Sequence, residues 1–117
     1  EQNDAQASAR GVVAAPNFSG DAILCGTDDD WFAVTLQAAC TYRIQLDFTH
    51  ARGDIDLALY DASSAELDSS AGITNSEVID YVVGAVAQRV FIEVTGWLFD
   101  AASANDYRVT VTRVSCP

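Results

Sequence analysis

The segment TDDDWF sets Asp28, Asp29 and Asp30 side by side ahead of Trp31 and Phe32. Grouped carboxylates repel one another unless water or a cation relieves them. Two chemistries fit the cluster: oxygen ligation of a hard cation such as calcium, or a solvated turn in which Asp stabilises the backbone. A second acidic pair, Asp54 and Asp56 in GDIDLALYD, is spaced two apart and so shares one side of a strand. It could hold a metal or the amides of a nearby loop. Gly53 permits a tight turn there, and the pair reads first as a turn-capping device, with Glu77 as a loop anchor.

Catalytic constellations are missing. The one histidine, His50, follows a strand-like run, and the sequence has no GxSxG, HExxH or glycine-rich phosphate loop. A non-enzymatic protein is expected. The aromatic residues Trp31, Trp97 and Phe99 are the candidate ligand contacts, since Trp97 to Phe99 stand together between two strand-like runs, where the commoner alternative is a loop plug that seals one end of the fold.

The charge balance narrows the partners. Seventeen acidic residues against six basic ones, all arginine, give a formal net charge of −11. Such a surface repels phosphate backbones and anionic lipid, which excludes nucleic acid and membrane insertion as expected partners. Three cysteines, Cys25, Cys40 and Cys116, lack CxxC spacing and imply one disulfide and one leftover thiol, hence an oxidising compartment. If the last strand runs beside the Trp31 to Gln37 strand, Cys116 arrives near Cys25, so a Cys25–Cys116 bridge is expected, with Cys40–Cys116 as the alternative. The absence of methionine marks the chain as a processed product or an excised piece.

The elements that must hold these residues are strands. Apolar residues alternate with polar ones at Phe32, Val34 and Leu36; at Tyr42, Ile44, Leu46 and Phe48; and at Ile55, Leu57 and Leu59. The pattern returns at Ile79, Tyr81 and Val83, at Val90, Ile92 and Val94, and at Tyr107, Val109 and Val111. Another strand is expected over Asp21 to Cys25. The separators are short and turn-like, which favours antiparallel neighbours and an all-β, two-sheet antiparallel sandwich over residues 17–117. Residues 1–16 are polar and alanine-rich and read as an irregular N-terminal arm or linker.

The ordered set EQND, DDDWFAVTLQA, YRIQLDF, GDIDLALYD, NSEVIDY, VFIEVTG and DYRVTV resembles the bacterial pre-peptidase C-terminal domain. It is similar also to the collagen-binding domains of clostridial collagenases. The resemblance implies a jelly-roll-like sandwich carried as a non-catalytic accessory domain by secreted bacterial proteases and other exported proteins. The expected partner is a neighbouring catalytic or cell-surface domain of the same precursor, with a polysaccharide or fibrous-protein ligand as the alternative role. The domain is expected to be monomeric, and secreted or at the cell surface. The resemblance also implies calcium, with Glu1, Asn3 and Asp4 of the arm and Asp28 and Asp30 of the loop as its ligands. Cys40 stands where the family has glycine, and the surface with which the clostridial relatives contact collagen has no residue-by-residue match here.

Overall fold

The computed structural model describes residues 5–11, 17–25, 29–97 and 104–117, with the Trp97 side chain left out. The expected sandwich is present, built from nine described strands. A five-stranded sheet has the order β1 (Arg10–Gly11), β3 (Asp30–Leu36), β8 (Gln88–Trp97), β5 (Asp54–Tyr60), β6 (Glu66–Ser70). A four-stranded sheet has the order β2 (Asn17–Cys25), β9 (Ala104–Ser115), β4 (Thr41–Phe48), β7 (Ser76–Val82). All pairings are antiparallel except β1 with β3.

The core is the set of alternating residues that drives the strands. Phe32, Val34 and Leu36 of β3 and Val90, Ile92 and Val94 of β8 are buried on one sheet, against Tyr42, Ile44 and Leu46 of β4 and Val109 and Val111 of β9 on the other. Burying such side chains contributes about 1.5–3 kcal/mol each, which offsets the entropy of ordering the strands. Tyr81 is only partly buried, and its hydroxyl donates to Gln88 Oε1 at 2.7 Å.

Two features depart from the sequence reading. β6 occupies a stretch whose sequence, ELDSS, has no apolar alternation; pairing with β5 across a bulge at Leu59/Tyr60 makes the strand instead. The described part of the arm adds to the five-stranded sheet. Gln6–Ser8 form a single 3-10 turn, Gln6 Nε2 donates to the Asp61 carbonyl and Ser64 Oγ donates to Gln6 Oε1, and Arg10 lies opposite Phe32.

The expected Cys25–Cys116 bridge is not formed. Cys40 and Cys116 are joined, with Cα atoms 4.3 Å apart, and Cys25 is an exposed thiol. The reason is the place of the last strand. β9 lies between β2 and β4 in the other sheet, so Thr41 faces Ser115 while Cys25 faces Ala104, at the opposite end of a twelve-residue strand.

Candidate metal centre

Three carboxylates from two sheets converge at one side of the sandwich. β5 opens at Asp54 directly after the 3-10 turn His50–Arg52, and Asp54 and Asp56 alternate with the buried Ile55 and Leu57. The reversal into β5 uses Gly53, whose φ of 139° is a backbone conformation that side-chain-bearing residues rarely adopt. Glu77, in β7 of the other sheet, is only 2% exposed. One oxygen from each of Asp54, Asp56 and Glu77 lies within 4.8 Å of the others.

Glu77 is held from the side of β6. Its Oε1 accepts from Ser70 Oγ at 2.6 Å and from the Gly72 amide at 2.9 Å, and Oε2 accepts from the same amide at 3.0 Å. Charge-assisted bonds of this kind fix the carboxylate where burial alone would expel it. The other two carboxylates are less satisfied. Oδ1 of Asp54 and Oδ1 of Asp56 are buried and accept no hydrogen bond from the described residues. His50 Nε2 lies 3.5 Å from Asp54 Oδ1.

The electrostatics follow from this crowding. Burial, then the Asp54 and Glu77 carboxylates, push the Asp56 carboxyl up to about 6, and His50 opposes the rise. Asp54 is also raised, by burial first and Glu77 after it, against His50. Three clustered carboxylates, two of them with a buried oxygen that accepts no bond from the described residues, fit a hard divalent cation, which takes six to eight oxygens from carboxylates, carbonyls and water. Replacing Gly53 with Ala is expected to cost about 1–3 kcal/mol by straining the turn that aims Asp54. Chemical denaturation measures the loss.

Of the metal ligands expected from sequence, Asp30 is among the described residues. Glu1, Asn3, Asp4 and Asp28 lie outside the described residues. Asp30 is 1% exposed at the start of β3, and its Oδ2 accepts from the Tyr107 hydroxyl at 2.5 Å. The aromatic candidates are also divided. Trp31 is partly buried on the five-stranded sheet, with its ring centroid 5.2 Å from that of Tyr60, whereas Phe99 and the Trp97 side chain are outside the described residues. Glu93, directly opposite Trp31, is pushed up to about 7 by burial and by its bond to Asp29.

Known proteins were compared at the level of sequence and of fold. No family model matches the chain, and no curated protein matches it. Solved structures do match. The pre-peptidase C-terminal domain of a collagenase from Bacillus anthracis superposes with a TM-score of 0.71 at 16% identity, covering 89% of this chain and 94% of that one. CorA, a surface-associated copper-binding protein of Methylomicrobium album BG8, gives 0.65 at 10% identity, over 90% of this chain and 98% of its own. PliG of Aeromonas hydrophila, a periplasmic inhibitor of g-type lysozyme, gives 0.58 at 12% identity, over 88% and 95%. The chain therefore has the fold of the pre-peptidase C-terminal domain. Among the described residues no helix is long and apolar enough to cross a membrane.

Proposed function

We propose that the chain is a secreted, non-catalytic accessory domain of a bacterial exported protein, stabilised by calcium and attached to a catalytic or cell-surface domain of the same precursor. The convergence of Asp54, Asp56 and Glu77 within 4.8 Å carries the calcium part of the reading. The pre-peptidase C-terminal fold and the Cys40–Cys116 disulfide support the rest. Its role is mechanical. An ion that ties β5 of one sheet to β7 of the other locks the two layers together and fixes how the domain hangs from its neighbour. Export into calcium-rich surroundings then adds stability after secretion.

The arm and loop residues Glu1, Asn3, Asp4, Asp28 and Asp30 form a second proposed seat for calcium. Calorimetric titration of the whole chain separates the two. Loss of binding in Asp56→Asn assigns the ion to the inter-sheet cluster, and loss in Asp28→Ala assigns it to the loop. Absence of calcium binding at neutral pH would refute the calcium part.

A second reading, a carbohydrate- or fibrous-protein-binding module, draws on the Trp31 and Tyr60 rings that meet on the five-stranded sheet beside Phe91. A ligand seated there is expected to reduce acrylamide quenching of tryptophan fluorescence, and Trp31→Ala to remove that protection.

A further inference from the structure

β2 forms one edge of the four-stranded sheet. All nine of its residues pair with β9 without a register shift, and no described strand lies on its other side. Alternate amides and carbonyls of such a strand point away from its neighbour, ready to pair with another chain.

The other sheet edges are blunted by comparison. β1 has two residues, β6 is bulged against β5, and on β7 the Val78 amide is taken by Ser70 Oγ at 3.3 Å. Among the described residues β2 has none of the usual protection. Its sequence, NFSGDAILC, contains no lysine and no proline, and its one charge, Asp21, is held by Arg108 Nε at 2.7 Å. An open groove of about 880 Å³ extends from the C-terminal half of β2 across β9 to β4, with Ala22, Ile23 and Tyr107 as apolar lining and Asp106 and Asp47 among its carboxylates. Ile23 is 51% exposed.

The charge pattern selects the occupant. Two copies paired antiparallel about the centre of β2 would set Asp21 opposite Asp21, between bodies that each carry a net charge of −11. A basic strand meets neither obstacle. We infer that the outer edge of β2 is a docking strand for an extended, positively charged protein segment, which joins the four-stranded sheet as a fifth strand. Its backbone supplies the pairing, and alternate side chains lie beside Ile23 and extend towards the Asp106 carboxylate of neighbouring β9.

The test uses the whole chain carrying Cys25→Ser and three labelled nine-residue peptides. One alternates Val and Lys, one is the same peptide with N-methyl groups on alternate amides, and one alternates Val and Glu. Fluorescence anisotropy near physiological salt is expected to give micromolar binding, on the order of 10–100 μM, for the first, at least about tenfold weaker binding for the second, and none for the third. Hydrogen exchange is expected to slow in β2 and not in β7, and Asp106→Asn to weaken binding several-fold. Equal affinity for the N-methylated peptide would reduce the effect to general charge attraction and overturn the inference. Protection of β7, or a dimer formed through β2 without peptide, would overturn it as well.

Discussion

Millimolar calcium is expected to raise the melting temperature of this domain by about 10 °C at pH 7.5 and by almost nothing at pH 4.5. The size follows from linkage. An ion present at about a hundred times its dissociation constant adds about 2.7 kcal/mol, and each kcal/mol moves a domain of this length by about 4 °C. The pH dependence follows from the carboxyls. Asp56 rises from 3.8 to about 6 on folding and Glu93 from 4.5 to about 7, and Asp54 moves in the same direction. Between the unfolded and folded values the folded state holds protons that the unfolded chain releases. Without calcium, the contribution of these three groups is therefore fully present below about pH 4 and is lost as the pH climbs through 6 and 7. These side chains are only partly buried and solvent screens them, so the fall is about 1–2 kcal/mol for each of Asp56 and Glu93, less than the raw shifts would give.

A calcium ion at the proposed site would compete with the protons on Asp54 and Asp56, so its expected benefit grows over the range in which these groups weaken the ion-free protein. One substitution separates this account from a general salt effect. Asp56→Asn removes a repelling charge without much change in volume. In the absence of calcium at pH 7.5 it is expected to match or exceed the parent in stability, by up to about 1 kcal/mol, while losing the calcium response. Scanning calorimetry of both proteins at the two pH values decides the matter. A parent melting temperature unmoved by calcium at pH 7.5, or a response retained in Asp56→Asn, would sink the inter-sheet site.

Strand phase made most of the architecture readable before any coordinates. Tyr42 to Phe48 and Ile55 to Leu59 alternate so regularly that one face must be buried, and both runs are strands with those residues inside. The same phase held an unused signal. Asp30 falls in register with Phe32 and Val34, Glu77 with Ile79, and Asn105 with Tyr107, and these are the three buried polar residues among those described. A carboxylate on a core phase needs a partner, so Glu77 was legible as a buried acid. Its meeting with Asp54 and Asp56 was not, because β5 and β7 belong to different sheets and their approach depends on strand order. The disulfide failed for the same reason. Local spacing cannot tell whether β9 pairs with β3 or with β4, and that choice decides which cysteine Cys116 meets. β6 was hidden differently: ELDSS carries no periodic signal, and neighbouring β5 imposes its conformation.

Removing the Cys40–Cys116 bridge is expected to destabilise the domain by about 3–5 kcal/mol. The bridge closes a segment spanning 76 residues of sequence separation, for which the chain-entropy model gives about 4.5 kcal/mol. Its position adds a local consequence. Cys40 is 3% exposed in the turn before β4, and Cys116 follows the last residue of β9, a strand paired on both sides, with β2 and with β4. Without the bridge the end of β9 is anchored by pairing across the irregularity at Thr41/Tyr42 and by Arg113, whose amide donates to Asn17 Oδ1 and whose Nη1 donates to Gln37 Oε1, so fraying beyond Arg113 would open the sheet from its middle. The double variant Cys40→Ala, Cys116→Ala should therefore lose amide protection over the last turns of pairing in β9 and the first of β4 before β7 is affected. Cys25→Ser, at an exposed thiol, should leave stability within about 0.5 kcal/mol of the parent. Urea denaturation and hydrogen exchange on the three proteins give both readings. A double variant within about 1 kcal/mol of the parent would show that the sheets hold the chain end without the crosslink, and the entropy argument would then have no purchase on this fold.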